Sequence, residues 1–311
     1  MSFPVDRADI EAAWVRIRDH VRVTPVIEVE ADAFGPPVLL KLELLQHTGS
    51  FKPRGAFNRV LSSDVPAAGL IAASGGNHGL AVAHVAATLG HPAEIFVPEA
   101  SPPIKVDRLR GYEPAVTVTV HGALYADAHE ASTRRAAETG ALVVHPYDQP
   151  EVVAGQGTMA RELDAQAPDL DTVIIAVGGG GLVAGAACWF QGRTKVVAVE
   201  PTTSRALGAA LDAGRPVAVE VSGVAADSLG ARRVGDLAFA AAQACVTAVE
   251  VTDADIVDAQ RRLWRSVRLI AEPGGAAALA AITSGAYRPE PGERVAVVVC
   301  GANTDPTTVT G

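Results

Sequence analysis

Short runs of apolar, β-branched residues alternate along the chain with longer alanine-rich segments whose apolar positions have a helical spacing. Many of the runs are almost continuously apolar, which is typical of strands buried on both faces of a parallel sheet. Helices are predicted between them, for example over residues 124–139, which Gly140 ends, and over residues 151–166. This alternation predicts an α/β protein with helices on both faces of the sheet. The predicted strands cover residues 38–44, 70–73, 93–97, 116–120, 142–144, 172–177, 195–199 and 295–300.

Composition narrows the class of protein. The chain has 311 residues, of which 49% are hydrophobic and 20% charged, and this excludes a disordered chain. A net charge of −9 argues against a nucleic-acid partner, because no basic surface would replace the counterions of phosphates. Three scattered cysteines, no cationic apolar leader and no apolar run of about 20 residues lead us to expect a cytoplasmic protein with no membrane partner.

Three glycine-bearing turns follow predicted strands, at residues 48–56, 74–79 and 178–182. In open α/β sheets, ligands bind at the carboxyl ends of the strands, where such turns lie. The four successive glycines at 178–181 open a predicted helix, and their amides can form a concave nest for a phosphate group. The alternative is a tight turn that only serves close packing of helix and strand.

The tetraglycine turn also matches a weak dinucleotide-binding pattern. Gly179, Gly181 and Ala184 fit G-x-G-x-x-A, and Glu200 ends the next strand about 20 residues further on. This match supports a different hypothesis, an NAD-dependent oxidoreductase. The turn alone does not separate a dinucleotide from a small phosphorylated cofactor.

Lys52 and the turn around Asn77 carry side chains suited to chemistry. Lys52 lies in a turn with glycine, phenylalanine and proline, where desolvation would lower its pKa towards nucleophilic use, although most lysines are ordinary surface residues. Asn77 and His78 stand at the head of a predicted helix whose free amides, together with Ser74, are suited to a small carboxylate. Ser74 and Asn77 are also residue types that commonly cap a helix.

Taken together, these segments resemble the threonine/serine dehydratase and serine racemase family of fold-type-II pyridoxal-phosphate enzymes. The resemblance implies a two-lobed fold similar to the β subunit of tryptophan synthase, in which each lobe is a mainly parallel twisted sheet flanked by helices. It places a large cofactor-binding domain in residues 1–66 and 147–311, and a small mobile domain with the substrate loop in residues 67–146. The resembling stretches, in the family's order, are KLELLQHTGSFKPRGAFN (41–58), ASGGNHGLA (73–81), VAGQGT (153–158), VGGGGLVAG (177–185), AEPGGAAALAA (271–281) and VCGAN (299–303).

The resemblance also implies roles for individual residues. Lys52 would hold pyridoxal 5′-phosphate as a Schiff base and act as the base at Cα, with Phe51 against a face of the ring. Asn77 would hydrogen-bond the phenolic oxygen of the ring. The phosphate would be held by Gly178, Gly179, Gly180 and Gly181 with the amide of Leu182. The substrate carboxylate would be bound, largely through backbone amides, by Ser74, Gly75, Asn77 and His78.

Cys300 ends the last predicted strand, where this family has Ser or Cys beside the pyridine nitrogen. A thiol with a reference pKa of about 8.5 is a neutral, weak donor, so it would leave that nitrogen unprotonated and favour elimination over transamination. The alternative is a buried cysteine that acts as a small hydrophobe. The reaction that the resemblance implies is α,β-elimination of L-threonine and/or L-serine, which gives 2-oxobutanoate or pyruvate and ammonia.

Some positions depart from the family pattern. Gly75 stands where serine racemases have the serine that serves the second face of Cα, and this favours the dehydratase. Glu200 matches one ligand of the relatives' divalent-cation site, but Ala206 replaces the Asp ligand, so we expect no metal. Asp227 lies in a segment that faces the substrate in relatives, where it could select the side chain or cap the following helix. Because the chain ends ten residues after Gly301, we expect no regulatory domain and no isoleucine feedback through one.

Other functions stay open beside the dehydratase. A serine racemase or a 3-hydroxyaspartate dehydratase would share the fold and the cofactor. An NAD-dependent oxidoreductase is a more distant alternative, since it would leave Lys52, the Asn77 turn and Cys300 without a role. The expected partner is a small-molecule amino acid, and the expected assembly is a homodimer or a higher homo-oligomer.

Overall fold

The computed structural model describes residues 3–99, 101 and 103–310, and it shows two sheets flanked by helices. The two sheets have six and four strands, so each is large enough to carry a core of its own. The strands in this part of the chain are β1 Val26–Val29, β2 Val38–Lys41, β3 Leu70–Ala73, β4 Ala93–Val97, β5 Val116–Val120, β6 Leu142–Val143, β7 Thr172–Ala176, β8 Lys195–Pro201, β9 Val246–Val251 and β10 Val295–Val298.

Local sequence explains several of the helix boundaries. The sixth helix ends at Gly140, which has a φ of 72°, and the twelfth begins at a capping box formed by Thr252 and Asp255. Two short 3-10 turns, Glu43–Leu45 and His47–Gly49, lie between β2 and the third helix. The helices are α1 Arg7–Ile17, α2 Ala31–Phe34, α3 Pro53–Leu61, α4 Asn77–Leu89, α5 Pro103–Arg110, α6 Tyr125–Thr139, α7 Pro150–Gln166, α8 Gly181–Phe190, α9 Ala206–Ala213, α10 Ala226–Leu229, α11 Asp236–Cys245, α12 Asp253–Val267, α13 Pro273–Thr283 and α14 Thr307–Thr310.

The six-stranded sheet has the order β1-β2-β10-β7-β8-β9. All its neighbouring strands are parallel except β1 and β2, which are antiparallel. Every residue of the central strands β7 and β10 is buried, because helices cover the sheet on both sides. This arrangement brings the turns after β2, β7 and β10 to the carboxyl ends of neighbouring strands.

The four-stranded sheet has the order β5-β4-β3-β6 and is parallel throughout. Successive residues of β3 face opposite sides of it. Leu70 and Ala72 pack into one cluster with α4, and Ile71 and Ala73 pack into another with α6. The turn at residues 74–76, which leads into α4, therefore lies at the carboxyl end of this sheet.

The prediction of an α/β fold with mainly parallel sheets flanked by helices is confirmed. The bounds of β3, β4 and β5 are as predicted, and most other strand ends differ by one or two residues. The first predicted strand ends at Lys41 rather than at residue 44, because the chain turns into a 3-10 conformation at Glu43–Leu45. The prediction missed β1, a short edge strand, and β9, which is half-exposed and follows α11 with no turn between them. Among the described helices, none combines the length and the apolar character needed to cross a bilayer.

Candidate active site

Lys52 lies at the N-terminal end of α3, directly after the two 3-10 turns. Its Nζ donates a hydrogen bond to the carbonyl oxygen of Pro146 at 2.7 Å, and it lies 5.0 Å from the centre of the Phe51 ring. Burial lowers the pKa of Lys52 to about 8, against the opposing effects of Cys300 and Glu272. An amine that loses its proton near pH 8 is available as a nucleophile or a base at mild pH.

The glycines at 178–181 join β7 to α8 and form a wall of the cavity beside Lys52. Gly180 has a φ of 93°, a conformation that residues with a Cβ rarely adopt. A Cβ on Gly179 would lie 2.2 Å from Cδ1 of Tyr147, so only glycine fits there. The first amides of α8 have no acceptor within the helix, and the helix dipole adds a favourable field, so this turn suits a phosphate group.

Tyr147 is a site residue that the sequence prediction missed. It lines the cavity, and its ring and backbone pack against Gly179 and Gly181. Its hydroxyl donates a hydrogen bond to the carbonyl oxygen of Arg233 at 3.3 Å. The segment that contains Tyr147 also supplies the Pro146 carbonyl to Lys52. Its position shortly after β6, at the carboxyl end of a parallel strand, was the available signal.

The turn before α4 contributes Asn77 to the wall of the cavity, and its other side chains have partners elsewhere. Oγ of Ser74 accepts a hydrogen bond from the Gly76 amide, which shapes the turn. The imidazole of His78 is buried, its Nε2 contacts the carbonyl oxygen of Val144 at 2.8 Å, and burial lowers its pKa to about 3. The neutral ring is therefore used for the hydrogen bond with Val144. A substrate carboxylate would have to be bound by backbone amides of this turn rather than by the imidazole of His78.

Asn77 is held at both ends of its side chain. Its Nδ2 donates a hydrogen bond to Oε1 of Glu272 at 2.5 Å, and its Oδ1 accepts one from Asn303 at 2.6 Å. Burial raises the pKa of Glu272 to about 7, in spite of the opposing hydrogen bond from Asn77. Glu272 lies in the cavity wall, and the sequence analysis gave it no role although it is part of one of the resembling stretches.

Cys300 follows β10 and is buried beside α13, where its Sγ contacts the carbonyl oxygen of Gly274 at 3.5 Å. Burial raises the pKa of this thiol to about 12, with a smaller contribution from Glu272. The group is therefore neutral at any physiological pH. This charge state is the one that the sequence analysis expected.

A single cavity brings together all the residues expected to contact the cofactor. A wider cleft of about 530 Å³ near Arg22 and Leu45 contains none of them. The residues expected to bind the substrate are brought together only in part, because Asn77 lines the cavity whereas Ser74, Gly75, His78 and Asp227 do not. The wall of this cavity is formed by Phe51, Lys52, Asn77, Tyr147, Ala176, Gly178, Gly179, Gly180, Gly181, Leu182, Ser228, Leu229, Glu272, Gly274 and Cys300.

Two acidic residues singled out from the sequence have other partners. Asp227 lies inside α10 rather than at its N-cap, which is Ala225, so the capping hypothesis is wrong. Its carboxylate forms an ion pair with Lys105 of α5 and is largely exposed. Glu200 accepts hydrogen bonds from the amides of Leu207 and Gly208, both at 2.7 Å, and so holds the start of α9. Within the described residues, no group of three or more His, Cys, Asp or Glu side chains is arranged to hold a metal ion.

A buried ionic network lies behind the lysine turn. Arg54, two residues after Lys52, pairs with Glu43 at 2.7 Å and with Glu162 at 3.1 Å. Lys41 pairs with the same Glu162 at 2.5 Å. Each of the four side chains is at most 5% exposed. The network ties β2, the first 3-10 turn, α3 and α7 together, and it anchors the segment that carries Lys52.

These features define an α/β protein with a lysine of lowered pKa beside a glycine turn that suits a phosphate group. The chain belongs to the family of pyridoxal-phosphate dependent enzymes, whose model matches residues 17–301. It is 35% identical to L-threonine ammonia-lyase of Thermotoga maritima over 96% of this chain and 75% of the relative. It is 39% identical to the biosynthetic L-threonine dehydratase IlvA of Escherichia coli over 93% of this chain but only 58% of that relative.

Two solved structures match nearly the whole chain. Maize serine racemase has a TM-score of 0.92 at 30% identity, covering 99% of this chain and 96% of the racemase. The processed form of threonine deaminase isoform 2 from Solanum lycopersicum has a TM-score of 0.88 at 30% identity, covering 98% of this chain and 92% of the deaminase. The family's cofactor is pyridoxal phosphate, so the alternative of an NAD-dependent oxidoreductase is set aside.

The residues present fit this cofactor. The glycine turn has no room for any Cβ at Gly179, and the α8 amides beside it supply donors for a phosphate. Lys52 supplies an amine for the aldehyde, and Asn77 supplies an amide that is held in one orientation. Phe51 supplies an aromatic face on the same cavity. The donor set therefore matches the phosphate, the aldehyde and the ring of pyridoxal phosphate.

Proposed function

We propose that this protein is a lyase that converts L-threonine and/or L-serine into 2-oxobutanoate or pyruvate and ammonia by α,β-elimination. The observation that carries the proposal is the Lys52 amine, with its pKa lowered to about 8, in the cavity that the glycine turn bounds. The relatives named threonine ammonia-lyase, dehydratase and deaminase support the choice of substrate. The neutral Cys300 supports elimination, because the resemblance places this residue at the ring nitrogen.

The residues of this chain would act in a fixed order. The amides at the start of α8 hold the phosphate, and those at the start of α4 bind the substrate carboxylate and place Cα near Lys52. Lys52 then takes the proton from Cα, since a pKa of about 8 leaves part of the amine unprotonated at neutral pH. When bound, pyridoxal phosphate supplies the electron sink for the charge that develops at Cα.

A serine racemase is the second candidate, favoured by the close structural match over almost the whole racemase chain. Gly75 counts against it, because it has no side chain to deliver a proton to the second face of Cα. Gly75 is also absent from the wall of the described cavity, and a Cβ there would lie 3.0 Å from Oγ of Ser101. A 3-hydroxyaspartate dehydratase is the third candidate, and Lys105, which pairs with Asp227 next to the wall residue Ser228, is a cation that could bind a second carboxylate.

The experiment is product formation from separate incubations with L-threonine, L-serine and L-threo-3-hydroxyaspartate. The 2-oxo acid, ammonia and the chirality of the remaining amino acid are measured together, with Lys52→Ala as the control. We expect equal amounts of 2-oxobutanoate and ammonia from threonine, and no D-isomer. If neither threonine nor serine yields a 2-oxo acid, the proposal is wrong. Formation of D-serine from L-serine would then indicate a serine racemase. Formation of oxaloacetate from L-threo-3-hydroxyaspartate would indicate a 3-hydroxyaspartate dehydratase.

We also propose two domains, the large one formed by residues 1–66 and 147–311 and the small mobile one by residues 67–146. The confinement of β3 to β6 to one sheet supports this division. Crystals with and without a substrate analogue test it, because the turn at 74–76 should move relative to the six-stranded sheet. A homo-oligomer and a cytoplasmic location complete the proposal, and sedimentation and cell fractionation test them.

A further inference from the structure

Glu272 is a buried carboxyl group in the cavity for which the proposed reaction has no role. It occupies the N-cap position of α13, yet its side chain caps no amide of that helix. Its Oε1 instead accepts a hydrogen bond from Nδ2 of Asn77 at 2.5 Å. A Cβ on Gly301 would lie 2.0 Å from the same oxygen, so the chain leaves room for this carboxyl group at residue 301.

The Glu272 carboxyl ends a chain of hydrogen bonds that all run in one direction. Arg108 donates to Oδ1 of Asn303 at 2.7 Å, and Nδ2 of Asn303 donates to Oδ1 of Asn77 at 2.6 Å. Nδ2 of Asn303 also donates to the carbonyl oxygen of Thr48 at 2.8 Å, which fixes the orientation of the Asn303 amide. Asn77 then donates to Glu272. Every side chain after Arg108 thus accepts from the residue before it.

The partners of Asn303 determine how the amide of Asn77 is oriented. The amide oxygen and nitrogen are nearly equal in size, so packing alone does not choose between the two orientations. An arginine only donates hydrogen bonds and a backbone carbonyl oxygen only accepts them, so Arg108 and Thr48 fix the amide of Asn303 with its nitrogen towards Asn77. The oxygen of Asn77 must then face Asn303, and its nitrogen faces the acceptor oxygen of Glu272. One N–H of Asn77 is then left for a group in the cavity.

The same chain joins elements of the two sheets. Asn77 begins α4 and Arg108 lies on α5, and both helices pack against the four-stranded sheet. Glu272 begins α13 and Asn303 follows β10, and both belong to the six-stranded sheet. The hydrogen bonds between Asn77 and its two partners therefore also set the distance between the Asn77 turn and the lysine turn.

We propose that Glu272 is a positioning residue that, together with Asn303, fixes the side-chain amide of Asn77 so that it donates a hydrogen bond to the ring oxygen of the cofactor. The inference rests on the role of Asn77 in the proposed function. Glu272 acts through Asn77 and does not itself touch the reacting atoms. Its effect is on the affinity for pyridoxal phosphate and on the electronic state of the bound ring.

The test measures the visible absorption spectrum of the holoenzyme and the Kd of the apoenzyme for pyridoxal phosphate. Glu272→Ala should weaken binding about tenfold, the effect of one lost hydrogen bond, and should shift the absorption maximum. Glu272→Gln keeps an acceptor oxygen of the same reach. Its Kd should stay within about threefold of the wild-type value, and its absorption maximum should match that of the wild type. Because these readouts need no substrate, they judge the inference even if neither threonine nor serine is turned over.

Two further variants separate positioning from a structural role. Glu200 is a matched control, because it is also a buried carboxyl group with a pKa raised by burial to about 7, but within the described residues its hydrogen bonds are to amides of α9. Glu200→Gln should lower the melting temperature and leave the spectrum unchanged. The double variant Asn77→Ala/Glu272→Ala should bind the cofactor no more weakly than Asn77→Ala alone. An unchanged spectrum and Kd in Glu272→Ala, or additive losses in the double variant, would overturn the inference.

Discussion

Lys41 and Lys52 are two of the four lysines of the chain, only eleven residues apart, and their surroundings differ sharply. Lys41 is fully buried and pairs with Glu162, and it also donates to the carbonyl oxygen of Thr24 and to Gln166, both at 2.8 Å. Lys52 is half-buried in the wall of the cavity, and the acceptor of its hydrogen bond is the carbonyl oxygen of Pro146. One lysine has a carboxylate partner, and the other has a neutral acceptor.

The difference shows how a buried lysine becomes structural or reactive. Burial lowers the pKa of both amines, because a low dielectric disfavours the charged form. Glu43 and Glu162 counteract this effect at Lys41. At Lys52 the opposing groups are Cys300, whose thiol is neutral, and Glu272, whose own pKa is raised by burial to about 7. Lys41 therefore stays an ion-pair partner, whereas Lys52 loses its proton near pH 8.

Replacing the reactive lysine should have the largest effect on activity. We expect Lys52→Ala to lower turnover by about 10⁴-fold and to abolish the visible band of lysine-bound cofactor, because in the proposed function the amine is both the attachment point and the base. Absorption spectra and single-turnover product assays measure the two effects. The far-ultraviolet circular dichroism should be unchanged, since the side chain forms no ion pair with any residue that the structure describes. A variant that keeps the band would show that another amine holds the cofactor.

The contrast between the lysines also shows how far sequence reasoning reaches. Lys52 and the tetraglycine turn could be singled out from the sequence, because each lies in a short local motif, although their tertiary partners Pro146 and Tyr147 could not. Glu272 was not singled out, although it lies in a recognised stretch, because its carboxyl group meets Asn77 from 195 residues away in the chain. The same holds for Asp227, whose partner Lys105 is 122 residues distant. Partners brought together by tertiary packing leave no local pattern in the sequence.

The same contrast between local pattern and tertiary packing holds for the elements of the fold. The strands buried on both faces, such as β7 and β10, were predicted because burial imposes a continuous apolar run. The edge strands β1 and β9 were missed, since an edge strand is half-exposed and its pattern resembles that of a loop. The buried network of Arg54 was also missed, because charged residues in the lysine motif are typical of a surface until their partners are known.

Replacing the structural lysine should mainly affect stability. Lys41→Met should lower the free energy of unfolding by about 3 kcal/mol, because it leaves Glu162 buried with one cationic partner instead of two. Thermal unfolding followed by circular dichroism measures the change. The band of bound cofactor should persist below the melting temperature. Lys195→Met, at an exposed position, is the control and should change stability by less than about 0.5 kcal/mol. An unchanged free energy of unfolding in Lys41→Met would show that the ion pair of Lys41 with Glu162 does not stabilise the folded protein.

The smallest expected effect is in the pH dependence of cofactor binding, which distinguishes Lys52 from an ordinary surface lysine. Only the unprotonated amine attacks the aldehyde, and the pKa of Lys52 is lowered to about 8. The rate at which the apoenzyme acquires the visible band should therefore rise about tenfold per pH unit below pH 8 and level off above it. An ordinary lysine would continue to gain rate up to about pH 10.4. Stopped-flow absorption measures this profile.

The control for this profile is a free alkylamine reacting with pyridoxal phosphate under the same conditions, because the cofactor also titrates in this range. The alkylamine's rate is first corrected for the alkylamine's own pKa, so that it reports only the titration of the cofactor. The enzyme's rate divided by this corrected rate then shows the titration of Lys52 alone. A midpoint near pH 8 in Glu272→Gln as well as in the wild type would mean that desolvation sets the pKa, since Glu272 only opposes the shift. A midpoint above pH 10 in the wild type would mean that water reaches Lys52 in the apoenzyme, and the distinction from a surface lysine would then fail.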